Sequence, residues 1–529
     1  MKLFDYDDTD INSIYSYAKK LEGMTFHEVL DEYERSPIKS YGGKLYEAYA
    51  NFENMVVREK TVEYGFGASL NDKAKGQLGN FIEKYYFGYD PNGNQEADFN
   101  KIGLELKQTP IDKTKKGEYR AGERLSITNI SYNEPVEEDF YKSHVWGKIK
   151  CILLIHYLRD KSIERLDYVI KFVNLFSPPR DDLKIIIDDY NQINEKIKQG
   201  KAHELSEGDT MYLGACTKGA TAKKSMRPQY YGDHTLAKKR NYCFKVSYMN
   251  YVLKNYILQN NVPCESIIKE DIKISFQEYV VSLINKHIGM TDKELCEMYD
   301  RPYNNNKAQW NDLAFRMLGI KGNHAAEFQK ANIVVKTIRI EENGKNRENM
   351  SFAPFKFKEL VQEEWEDSTV FNYFDTTQFL FVVFKRVDDV YVLQKAKLWH
   401  MPYYDLNEIV KSEWQNYKNI IKNVVIFEKV KNVNGELEVK NNLPGMKDTE
   451  IIHIRPHAQK SAYKLNDGFI KGNIERDADE LPNGEWMTKQ SFWLNKQYVL
   501  KQLKSGEVGE TSKIKNYSGS FKAYEGVEP

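Results

Sequence analysis

The sequence predicts a mixed α/β (α+β) protein made of two related domains in tandem, each a central mixed sheet flanked by helices. Three observations carry this. A chain of 529 residues exceeds what one ordinary core encloses. Strand-like apolar runs such as Cys151 to Tyr157 stand among amphipathic helical stretches. A set of short motifs occurs twice, in the same order, along the chain.

The repeat begins with Gly23-Met24-Thr25, Glu28 and Tyr33, matched by Gly289-Met290-Thr291, Glu294, Leu295 and Tyr299. Lys75-Gly-Gln77 and a helix ending in Gly88 match Lys307-Ala-Gln309 and a helix ending near Gly319. Asp98-Phe-Asn-Lys and its following strand match Glu327-Phe-Gln-Lys and Ile333-Val-Val-Lys336-Thr. Cys151 to Tyr157 matches Gln378 to Phe384, and Asp209-Thr210 matches Asp448-Thr449 before Ile451-Ile452. Phe244-Lys-Val-Ser-Tyr248 matches Leu494-Asn-Lys-Gln-Tyr498. Preserved order with drifting offsets is what loop insertions leave behind. The repeat is too long for a solenoid. Domains are therefore expected at 1–260 and 275–529, joined near 255–275.

Hydrophobic content of 41% with 29% charged residues describes a soluble globular chain. No apolar run approaches the ~20 residues of a membrane span. The acidic start carries no stretch of signal-peptide type. Cys151, Cys216, Cys243, Cys264 and Cys296 lie far apart without a C-x-x-C pair, against structural zinc or a disulfide framework and for a reducing cytoplasm. Lys+Arg and Asp+Glu are equal at 77, so contact with nucleic acid has to rest on local patches. Lys113 to Arg120, Lys218 to Arg227 and Lys238-Lys239-Arg240 are such patches; solvated loops are the plain alternative.

The chemistry concentrates at Asp98, Glu105 and Lys107. Asp98 is expected to open a short strand, followed by the strand Ile102-Gly-Leu-Glu-Leu-Lys107. Alternation puts Leu104 and Leu106 on an inward face and Glu105 and Lys107 on the other, toward a cleft. Two carboxylates can then converge on one hard cation such as Mg2+, which takes oxygen ligands and keeps several waters. Such an ion polarises a phosphate and acidifies an attacking water, while Lys107 positions that water or stabilises the developing charge. Other E-x-K-like triplets lack the upstream acid: Glu438-Val-Lys440 has Lys431 at that place, and Asp271-Ile-Lys273 has Cys264.

Flanking motifs sharpen the reading. Lys75-Gly-Gln-Leu-Gly-Asn-Phe-Ile-Glu83 precedes the triplet, Glu105-Leu-Lys107-Gln-Thr-Pro110 contains its end, and Ser143-His-Val-Trp-Gly-Lys148 follows. This order resembles the family of MutH and the Sau-type GATC-specific type II restriction endonucleases. The resemblance implies two restriction-endonuclease-like folds, cleavage of double-stranded DNA at GATC with Mg2+, and a cognate methyltransferase in the same system. It implies catalytic roles for Asp98, Glu105, Lys107, Glu83, Lys148 and Lys75, and metal ligation through Asp98, Glu105 and Leu106. Glu363-Glu-Trp-Glu-Asp-Ser368 and Trp486-Met-Thr-Lys-Gln-Ser-Phe-Trp493 resemble the C-terminal half of the Sau-type enzymes.

In the second copy Asp98 becomes Glu327, Glu105 becomes Val334, Glu83 becomes Phe315 and Lys148 becomes about Asp375; Lys107 persists as Lys336. Valine and phenylalanine cannot hold a cation, so one cutting centre per chain is expected. The second domain then completes recognition of a symmetric site, binds a second DNA copy, or promotes self-association on DNA. Base reading is expected at Thr217, Lys218, Lys223, Lys224 and Arg227, and in the second copy at Arg455, His457, Gln459 and Lys460. The first loop departs from the family's R-P-K pattern. His453 and His457 have no acid or cysteine to complete a metal pair, and Phe492, Trp493 and Tyr242 read mainly as core. A strand-nicking repair endonuclease and a non-catalytic DNA-binding regulator are the alternatives.

Overall fold

A computed structural model describes residues 6–35, 78–88, 96–217, 225–260, 264–269, 272–306, 308–347, 350–431, 435 and 437–504. The first half is organised by the strand Ile152–Leu158. It pairs in parallel with Glu105–Lys113, Glu105 opposite Ile152, and antiparallel with Val169–Phe176; Tyr119–Ala121 closes the far edge. Ile152, Leu153, Leu154 and Ile155 are all buried because helices cover both faces of the sheet. On one side lie Ile14 and Ala18 of helix Ile11–Lys19 with Leu104, Leu106, Leu153 and Ile155. On the other lies helix Arg180–Lys198, whose Ile185, Ile186, Tyr190, Ile193 and Ile197 form one buried stripe. A second sheet places Arg240–Phe244 between Leu125–Asn129 and Leu213–Thr217, all antiparallel.

The second half repeats this topology. Ile333–Ile340 runs parallel to Gln378–Val387, which pairs antiparallel with Val390–Trp399. Gln490–Leu494 lies between Met350–Phe355 and Ile452–Pro456, as Arg240–Phe244 does in the first half. The finer ties repeat as well. Gly23 and Gly289, at φ +95° and +90°, donate to the carbonyls of Ile170 and Leu393, and Ile170 and Leu393 donate back to Met24 and Met290. Glycine suits these positions because a side chain is strained at such φ values. The buried carboxylate of Asp189 accepts from the backbone amides of Met211, Tyr212 and Leu213; Glu413 does the same for Glu450, Ile451 and Ile452.

The halves are not separately packed. One core cluster joins Ile185, Tyr190 and Ile193 to Phe276, Val280, Trp310 and Leu313 across the sequence midpoint. The stretch expected as a linker is itself built in: Ile267 is buried, and Glu327 accepts from the amides of Ile267 and Ile268 and from the Ser266 hydroxyl. Among the described residues no helix is long and apolar enough to cross a membrane.

Candidate active site

Local structure at the triplet differs from the expected strand. Asp98 sits in a turn, Phe99 and Leu104 form an isolated antiparallel bridge, and the strand proper starts at Glu105. The tight turn between them needs Gly103 at φ +66°, where an added Cβ would meet Lys150 Nζ at 2.6 Å. Folding back in this way lets Asp98 reach across: its Oδ2 accepts the Leu106 amide at 2.8 Å. The acid is thereby fixed beside the strand that carries Glu105.

The expected alternation holds, but Glu105 is far from open to a cleft. It is 1% exposed, and two lysines neutralise it. Lys107 Nζ lies 2.5 Å from Oε1, while Lys148 Nζ lies 2.9 Å from Oε2 and 3.1 Å from Oε1. Lys148 also donates to the Glu96 carbonyl at 2.7 Å. It arrives on helix His144–Ile149, whose start is fixed by the Ser143 hydroxyl accepting the Trp146 amide and donating to Phe140 O. A buried carboxylate without such cations would be strongly destabilising.

Glu83, buried on helix Phe81–Tyr85, faces the same cluster. Burial, then the neighbouring Asp98, push its carboxyl up to about 7, against the pull of Lys107. Burial and the Glu105 charge likewise raise the Asp98 carboxyl, with Lys107 and the Leu106 amide opposing. Three acids crowded so that two resist ionisation form a hard-oxygen donor set whose repulsion a cation relieves. Among the described residues no three Asp, Glu, His or Cys side chains make a full protein cage. Mg2+ does not require one, since one or two carboxylates suffice beside waters and substrate phosphate. The residues fit such an ion.

The structure therefore brings Asp98, Glu105, Lys107, Lys148 and Glu83 together, with the Leu106 backbone between them. Lys75 lies outside the described residues. The Glu96 carbonyl, which anchors Lys148, was not legible in advance, because a backbone acceptor leaves no trace in residue type. Of the base-reading residues, Thr217 ends the strand Leu213–Thr217 and is exposed, as is Arg227; Lys218, Lys223 and Lys224 lie outside the described residues. Arg455, His457, Gln459 and Lys460 are exposed at the end of Ile452–Pro456, Arg455 over the Trp493 ring at 5.1 Å and His457 against Ser491 Oγ at 3.1 Å.

The basic run at Lys238 to Arg240 divides. Lys238 pairs with Glu366, and Arg240 is buried, donating to the Ala215 carbonyl. The Glu438-Val-Lys440 triplet sits on an exposed hairpin with Phe427–Lys431. His453, Phe492 and Tyr242 are buried.

The second-copy counterparts have other work. Glu327 caps the joining segment, Val334 is half-buried within the strand Ile333–Ile340 opposite Phe379, and Phe315 is core. Asp375 is buried and accepts from Ser206 of the first half at 2.8 Å.

The chain is similar to known proteins. Type II restriction enzyme Sau3AI of Staphylococcus aureus is 34% identical over 484 residues, spanning 86% of this chain and 98% of that protein. The chain belongs to the MutH and Sau-type restriction endonuclease family. The family model described as DNA mismatch repair enzyme MutH matches residues 87–189, the stretch from Glu96 through Lys148 to the helix behind them. DNA mismatch repair protein MutH of Shewanella woodyi is 25% identical over 197 residues, 36% of this chain and 81% of that protein. Its counterpart in Escherichia coli strain SMS-3-5 is 24% identical over 185 residues, 35% and 79% respectively. The MutH relatives thus span about a third of this chain, whereas the restriction enzyme spans both halves. Restriction endonucleases of this kind generally use a divalent metal.

Proposed function

We propose that this chain is a type II restriction endonuclease that reads 5′-GATC-3′ in double-stranded DNA and hydrolyses phosphodiester bonds with Mg2+ to leave 5′-phosphates. The observation that carries this is the meeting of Asp98, Glu105, Lys107, Lys148 and Glu83 in one cluster, within a chain alike over nearly its whole length to a restriction enzyme. Residues 1–260 form the catalytic domain. Residues 275–529 form a degenerate copy that binds DNA and regulates the first.

Asp98 and Glu105, with Leu106 between them, would hold the ion, which supplies Lewis-acid polarisation of the phosphate and a more acidic bound water. Lys107, more exposed than Glu105, orients the attacking water and stabilises charge building on the phosphate oxygens. Lys148 fixes both Glu105 oxygens, so the carboxylate does not reorganise as charge moves. Glu83, the buried helix carboxylate beside Asp98, supports binding of the ion or of its water.

Incubation of plasmid DNA with the purified protein and Mg2+ tests the reading. Linear fragments ending at GATC with 5′-phosphates are expected. Intact plasmid in the presence of folded protein would overturn it, and open circles alone would favour strand nicking of the kind the MutH relatives suggest.

A further inference from the structure

Three residues of the second half, Asp375, Gln378 and His400, close on one short segment of the first. The segment Ser206–Thr210 leads within three residues into the strand Leu213–Thr217. The Ser206 hydroxyl donates to Asp375 Oδ1 at 2.8 Å and lies 3.2 Å from the Asp375 carbonyl. Gln378 Nε2 donates to the Gly208 carbonyl at 2.6 Å. Asp209 Oδ1 meets His400 Nε2 at 3.0 Å, while Lys196 of the first half holds the same carboxylate. Gly208 is packed so closely that an added Cβ would lie 3.1 Å from Asp375 O and 3.3 Å from His400 Cβ. Ser206, Asp375 and Gln378 are all buried.

The strand and its entry are also held from within the first half. The amides of Met211, Tyr212 and Leu213 are held by Asp189, and the Ala215 carbonyl by Arg240. Hydrogen bonds thus tie the start of strand Gln378–Val387 to the segment that leads into Leu213–Thr217. Asp375 also stands at about the repeat position that carries Lys148 in the first copy. The place of a catalytic lysine has been turned into a grip on the neighbouring half.

We propose that Asp375, Gln378 and His400 are positioning residues for base reading by the first half. They set the height and angle at which the strand Leu213–Thr217 delivers Thr217 to DNA, so the second half tunes the sequence specificity of the first. This rests on the proposed reading of Thr217 as a DNA-facing residue.

The test compares cleavage of a GATC duplex with duplexes altered at one base, using the full chain carrying Asp375→Ala, Gln378→Ala or Gly208→Ala. Displacement of a recognition element costs discrimination and affinity before chemistry, so the ratio of kcat/KM between cognate and altered duplexes should fall about tenfold or more. Most of the loss should lie in KM, with single-turnover cleavage at saturating DNA little changed. Asp375→Asn, which can still accept from Ser206, should restore the ratio. Ser247→Ala is the control: its hydroxyl also crosses between the halves, to the Lys330 carbonyl at 2.8 Å, but away from this path. Thermal unfolding identifies any variant that fails to fold; Gly208→Ala removes no polar group and then carries the test. An unchanged ratio in folded variants, or an equal fall in Ser247→Ala, overturns the inference. Absence of cleavage by the unaltered chain would instead refute the nuclease reading beneath it.

Discussion

Lys148 donates to both carboxylate oxygens of Glu105, at 2.9 and 3.1 Å, from a helix that precedes the partner strand. Lys148→Ala leaves Lys107 as the remaining cation on a buried acid, so it should cut the cleavage rate about a hundredfold or more. It should also destabilise the fold by about 1–3 kcal/mol. Single-turnover kinetics and denaturant unfolding measure the two effects. Lys148→Arg should recover stability better than rate, because a guanidinium cannot take the position of the ammonium.

Lys107→Ala should abolish cleavage while DNA binding stays largely intact, since Lys107 is mostly covered and paired with buried Glu105. A gel-shift assay beside plasmid digestion distinguishes the roles. Persistent cleavage would show that the centre is elsewhere.

Metal should reveal itself without catalysis. Saturating Mg2+ stabilises a protein that binds it only when folded, by about 2.7 kcal/mol at a hundredfold excess over Kd. The corresponding rise in Tm should appear in the unaltered chain, vanish with EDTA, and be lost in Glu105→Gln.

The Glu83 carboxyl gives a pH signature in metal-free protein. Its folded value, about 7, exceeds the ordinary 4.5, so the folded state keeps a proton that the unfolded state releases. Stability from this group is therefore greatest below 4.5 and declines as pH rises to about 7. Glu83→Gln should flatten that decline in chemical unfolding measured with EDTA present.

Asp209 has the opposite sign. Burial alone would raise its carboxyl, but His400 and Lys196 outweigh burial and bring it from 3.8 down to about 2. Its contribution is present above 3.8 and disappears as pH falls toward 2. Asp209→Asn should lower stability at neutral pH and bring it closer to the unaltered chain in acid.

The duplication was legible because its marks are local. A Gly-Met-Thr turn and an apolar central strand each need particular residue types wherever the chain stands. Asp98, Glu105, Lys107, Glu83 and Lys148 were legible as types at a spacing, but that spacing misplaced Asp98 in a strand, since the Gly103 turn depends on backbone geometry. Nor does alternation along a strand say whether a polar face meets solvent; here helix His144–Ile149 covers Glu105.

By itself the sequence determined the fold class and the order of the paired elements, because these follow from side-chain chemistry and local periodicity. Only the tertiary structure decided that the halves share a core, that Glu327 and Asp375 have become structural acids, and that Asp375, Gln378 and His400 grip the approach to Thr217. Those are contacts between residues far apart in the chain, set by packing, which no spacing along the chain encodes.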